Sequence, residues 1–104
     1  MIKHIVAWNF AENAEGRDRA ANVALVKDAL NALVGAVPTI REFEVVTPQP
    51  GLESSFDLVL YSTFNNEADL QAYVVHPEHQ AVAKLIGLVR RERFAIDFDP
   101  AELR

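Results

Sequence analysis

Tyr73-Val74-Val75-His76-Pro77-Glu78-His79-Gln80-Ala81-Val82 is the stretch on which the fold turns. Proline disfavours helix in the residue before it and fits the first turn of a helix. His76-Pro77 therefore ends one helix and opens another. Upstream, Asn66 is a capping residue with Asp69 three positions on, and Leu70, Tyr73 and Val74 form a short inner stripe. Downstream, Val82, Leu85, Ile86 and Val89 recur at helical spacing. Gly87 inside that second helix costs about 1 kcal/mol relative to alanine, and a close helix–strand approach is the expected reason. Two of the protein's three histidines lie in the quoted stretch, which makes it the first place to look for chemistry.

Working outward, Phe56 to Phe64 precedes these helices as a strand, with Phe56, Leu58, Leu60 and Phe64 on one face. Ile40 to Thr47 is another, joined to it through the Pro48-Gln49-Pro50-Gly51 turn and a loop over residues 52–55. Before it stands a helix whose start falls between Asn13 and Asp18. Its stripe is Val23, Val26, Leu30, Leu33, Val34 and Val37; Gly35 loosens its end and Pro38 stops it. Ala11 to Gly16 reads as a polar connection. Ile2 to Phe10 opens the chain as a strand with His4, Val6, Trp8 and Phe10 on one face. Phe94, Ile96 and Phe98 alternate through the closing strand. The order is β-α-β-β-α-β with a broken second helical region, the α+β, ferredoxin-like arrangement.

The 104 residues make one domain, 1–104, half hydrophobic and about a quarter charged. A net charge of −5 argues against nucleic acid as a partner, because phosphate binding needs clustered Lys and Arg. The one basic cluster, Arg90-Arg91-Glu92-Arg93, is expected to complement a helix end. The absence of cysteine removes disulfides, thiolate zinc sites and cysteine nucleophiles. No signal peptide or membrane-length apolar run is visible, so a cytoplasmic protein without a membrane partner is expected.

Helices cover only one face of such a sheet, yet Ile5, Ala7, Val59 and Tyr61 belong to the other. An exposed apolar sheet face is usually an interaction surface. A second copy packing sheet to sheet is the simplest closure, giving a homodimer with a barrel-like interior.

Ile2-Lys3-His4-Ile5-Val6, Val37-Pro38-Thr39-Ile40, the quoted Tyr73 to Val82 stretch and Phe94-Ala95-Ile96-Asp97-Phe98 together resemble the stress-responsive dimeric α/β-barrel (Dabb) family. The His-Pro-x-His element is the specific part. The resemblance implies a ferredoxin-like protomer and a dimeric α/β-barrel. Set against a polyketide-cyclase member, it also implies a site of Tyr73, His79 and His4, with Asp97 as the acid orienting the imidazole of His79. A further pocket tyrosine of that member falls near Leu30 here, a departure that touches the substrate.

Each of these residues has a functional and a structural reading. His79, in the first turn of a helix, is disfavoured as imidazolium and suited to act as a general base; the alternative is a polar tie at the junction. Tyr73 either stabilises an oxyanion or fills the core with its hydroxyl at the rim. His4 either positions a substrate or is a buried, satisfied histidine, and His76 reads as structural. His76, Glu78 and His79 lack the spacing of a helical zinc motif, so no metal is expected. The reading that follows is a pocket for a small hydrophobic or aromatic carbonyl compound, with cofactor-free cyclase, lyase or isomerase chemistry by proton abstraction. A non-catalytic ligand-binding or stress-response protein and a cofactor-independent monooxygenase are the alternatives.

Overall fold

The computed structural model describes residues 1–103. Strand β1 (Ile2–Phe10) leads into a two-residue hairpin, β2 (Asn13–Ala14) and β3 (Arg17–Asp18), then α1 (Arg19–Asn31) and the single turn α2 (Leu33–Ala36). Strands β4 (Ile40–Val46) and β5 (Leu58–Phe64) follow, then α3 (Glu67–Val75), α4 (Pro77–Val89) and β6 (Arg90–Phe98). A 3-10 turn over Pro100–Glu102 closes the description. The main sheet runs β4-β5-β1-β6, every neighbouring pair antiparallel. This is the expected ferredoxin-like order.

Asp18 caps α1 by accepting from the Ala21 amide, which settles the open helix start. The expected polar connection contains the β2–β3 hairpin instead. Buried Asn22 holds it, with Nδ2 donating to the carbonyls of Ala14 and Arg17 and Oδ1 accepting from Arg17 Nε at 2.7 Å. The α1 stripe breaks where the helix does. Val26, Leu30, Leu33 and Val37 are buried, but Val34 is exposed because the chain is capped at Ala32 and restarts as α2.

Between β4 and β5, the Leu52 amide donates to Gln49 O, with Gly51 at φ 81°. That is a turn with proline then glycine at its centre, where the positive φ favours glycine. Strand β5 starts at Leu58, later than expected, and Phe56 does not join the inner face. Its ring lies against Phe94 at 5.5 Å between centroids.

Register assigns the faces. His4, Val6 and Trp8 stand opposite Asp97, Ala95 and Arg93, and Ile5 and Ala7 opposite Ile96 and Phe94. Directly opposed residues share a face. The helix-covered face holds the core of Val6, Trp8, Phe10, Val26, Leu30, Leu58, Leu60, Phe64, Tyr73 and Val89. The other face leaves Phe94 48% and Ile96 58% exposed beside Ile5 and Ala7. Among the described residues, no helix is long and apolar enough to cross a membrane.

Candidate functional site

The junction between α3 and α4 assigns different work to its two histidines. His76 caps α4: its Nδ1 accepts from the Glu78 amide at 3.1 Å, and Pro77 follows as the first helical residue. An N-cap acceptor satisfies one of the free amides at a helix start. His76 is thereby a structural residue, as its position before proline suggests.

His79, one turn into α4, has Nδ1 3.0 Å from the carbonyl oxygen of Val74. A carbonyl only accepts, so Nδ1 carries the proton and Nε2 of the neutral ring is left with the lone pair. Burial lowers the His79 pKa first of all; the Val74 carbonyl opposes this, and the nearby His4, Arg93 and His76 lower it further. The result is an imidazole neutral at pH 7 whose free nitrogen is basic.

Tyr73 comes from α3, one turn earlier, and its ring lies 4.3 Å from that of His79 between centroids. Burial pushes its phenol well above the ordinary range, so it is a neutral O–H donor. His4 reaches the same place from β1, with ring centroids 6.0 Å from Tyr73. His4 from β1, Tyr73 from α3 and His79 from α4 therefore meet and line one partly open cavity of ≈ 170 Å³.

Asp97 does not orient His79. Its Oδ1 lies 2.5 Å from His4 Nδ1. The reason is register: β1 and β6 place His4 and Asp97 directly opposite on the inner face, whereas the Nδ1 of His79 is already taken by Val74. Leu30 lines the cavity as an apolar wall together with Val6, Leu60 and Ile86.

Five further residues belong to the lining: Trp8, Ala83, Gly87, Arg90 and Arg93. The basic cluster does not complement a helix end. Helix α4 stops at Val89, and Arg90 to Arg93 begin β6. Residues 93, 95 and 97 share one strand face, a parity from which Arg93 could have been put on the side of Asp97. Gly87 also departs from expectation, since a Cβ built there would meet no atom within 4 Å. Its helix penalty leaves space beside the cavity rather than permitting a close strand contact. Among the described residues, no group of three or more His, Asp or Glu side chains is placed to hold a metal ion.

Comparison with known proteins sets this geometry in a family. A dimeric protein of unknown function and ferredoxin-like fold from Bacteroides fragilis has a TM-score of 0.80 at 28% identity, over 94% of each chain. A dimeric ferredoxin-like protein of unknown function from Thermobifida fusca gives 0.79 at 23% identity, over 93% of this chain and 88% of the other. A hydroxynitrile lyase from Passiflora edulis gives 0.77 at 18% identity, over 93% and 90%. No curated protein matches the sequence. The model of the stress responsive A/B barrel domain matches residues 2–100, and the chain belongs to that family, Dabb.

Proposed function

We propose that the protein is a homodimeric, cofactor-free proton-transfer enzyme of the lyase, cyclase or isomerase type, acting on a small hydrophobic or aromatic carbonyl compound. The observation that carries this is the pairing of His79 with Tyr73. One presents a neutral imidazole with Nδ1–H committed to Val74, and the other a neutral phenol, both in the lining of one cavity. In the step, His79 Nε2 takes a proton from the carbon next to the substrate carbonyl. The electron pair moves onto the carbonyl oxygen, and the Tyr73 hydroxyl donates to the oxyanion so formed. His4, held by Asp97, positions the substrate.

The size of the cavity bounds the ligand. An apolar cavity of roughly 150 Å³ holds a benzene molecule, so ≈ 170 Å³ suits one ring or a short chain. Gly87 supports the reading of a cavity kept open, because alanine would fit there and favour the helix. The homodimer is supported by the exposed Phe94 and Ile96 on the uncovered sheet face and by the dimeric Bacteroides fragilis neighbour.

The test is deuterium exchange. Single-ring aryl ketones and aldehydes with a C–H next to the carbonyl are incubated with the protein in D2O and followed by NMR. Exchange above the buffer rate is expected, lost in His79→Ala and reduced in Tyr73→Phe while both variants keep their fold. Absence of catalysed exchange across the panel would leave the pocket as a binding site and overturn the catalytic reading.

A further inference from the structure

We propose that Trp8 and Arg93, with Arg90 beside them, form an anion subsite in this cavity, and that the natural ligand is a small carbonyl compound that also carries a carboxylate. The carbonyl half rests on the proton-transfer reading above. The carboxylate half rests on Trp8 and the two arginines alone.

Trp8 is only 4% exposed, yet its buried indole Nε1 has no hydrogen-bond partner among the described residues. Buried donors are nearly always paired, because an unpaired one forfeits its water without compensation. Trp8 lines the cavity; its Nε1 is closed off from it in this structure, so the indole must turn to meet an acceptor that enters. The other such atom, Thr39 Oγ1, belongs to a residue outside that lining.

Arg93 is the direct cross-strand partner of Trp8 on the helix-facing side, which sets their Cβ atoms roughly 4.5–5.5 Å apart. Neither Arg93 nor Arg90 has an ion-pair partner among the described residues, although the chain is acidic, at −5. The contrast with their neighbour is direct, since Arg91 pairs with Glu92 at 3.3 Å. The lining contains no Asp or Glu. The carboxylate beside it, Asp97, is engaged by His4.

Two exposed arginines without an ion-pair partner, in a lining that carries apolar side chains and no acid, attract an anion with a small apolar body. A carboxylate fits this set better than a bulkier anion. Its planar pair of oxygens matches one guanidinium fork and still accepts from a single indole N–H.

The test uses the protein's one tryptophan, which gives a single indole N–H signal in an 15N-labelled sample. Titration compares benzoate with benzamide, nearly the same shape with and without charge. Benzoate is expected to shift the indole signal saturably and to bind roughly tenfold tighter than benzamide, the difference a charge-assisted hydrogen bond supplies. Arg93→Gln should remove that preference, and Arg90→Gln should weaken it. Equal affinities, or benzoate that leaves the indole signal unmoved up to its solubility limit, would overturn the proposal, and that result needs no variant. The two proposals fail separately. Benzoate binding without ketone exchange sinks the catalysis and keeps the subsite; exchange without a benzoate preference does the reverse.

Discussion

Asp97 faces His4 directly across the β1–β6 ladder, and its carboxylate lies 2.5 Å from His4 Nδ1. A carboxylate only accepts, so Nδ1 of His4 carries a proton, as Nδ1 of His79 does against the Val74 carbonyl. Two imidazoles in one cavity are thus each held through Nδ1 by a different partner, one a carboxylate and the other a backbone carbonyl.

Asp97→Asn separates these two supports. The amide can donate to Nδ1 and reverse the tautomer of His4, while His79 keeps its carbonyl. The exchange rate is expected to fall roughly tenfold, within the range of a lost hydrogen bond to a charged group. The 1H–13C signals of the His4 ring should move, while the His79 ring keeps its proton on Nδ1 against Val74. A changed His79 tautomer with unchanged His4 signals would contradict the assignment of Asp97 to His4.

His79 sets the pH dependence. Its pKa is lowered from 6.5, mainly by burial, so the unfolded chain binds its proton more readily than the folded one. Stability is then fullest above pH 6.5 and falls as pH drops below that value. Activity should follow the same sense, rising with pH to a plateau as the imidazole becomes neutral, with its midpoint below 6.5. Urea melts at pH 5 and pH 8 check the first, and the exchange rate across that range checks the second. In His79→Gln the stability difference should shrink, and loss of the base should reduce exchange by roughly 10² to 10⁴.

Much of this was legible in the sequence, and the rest was hidden for definable reasons. His76-Pro77 sufficed to separate the two helices, because proline's effect is local. The inward face of His4, Val6 and Trp8 followed from period-two alternation. The partner of Asp97 did not, because it depends on the β1–β6 register, a relation between residues 93 positions apart in the chain. Arg93 was misplaced for a related reason. Its cluster directly follows the helical run, and β6 begins without a turn, at Arg90 after Val89. Phe56 was assigned to the inner face by parity with Leu58, but parity holds only inside a strand and β5 starts after it. The Asn22 clasp on the β2–β3 hairpin had no visible signal, since one polar residue on an apolar stripe does not announce its acceptors.

Gly87 offers a test of whether the cavity is kept open at a cost. Gly87→Ala should stabilise the protein by about 1 kcal/mol through helix propensity, because the added Cβ meets nothing within 4 Å. For a domain of this size that is about 4–8 °C in melting temperature. Gly87→Leu should keep most of the stability and weaken benzoate binding by taking up ligand space. A destabilised Gly87→Ala variant in a thermal melt would show instead that the glycine answers a packing need.

The last prediction concerns β6, an edge strand paired only with β1. Its two faces have different duties. Arg93 and Asp97 point with Trp8 and His4 toward the helix layer, and Phe94 and Ile96 point with Ala7 and Ile5 to the uncovered face. In a sheet-to-sheet homodimer the second copy covers Phe94 and Ile96 and braces the strand that supplies the site. Ile96→Glu puts a charge into that apolar contact and forfeits about 1.5–3 kcal/mol of burial per copy. Sedimentation velocity at micromolar concentration should show dimer for the native chain and monomer for the variant, with Lys84→Glu on exposed α4 as a dimeric control. The monomer should also bind benzoate more weakly and lose the His4–Asp97 contact, seen as broadened His4 ring signals. A native chain that sediments as a monomer would remove the brace, and an Ile96→Glu monomer with unaltered benzoate affinity would show that β6 holds its site residues without the second copy.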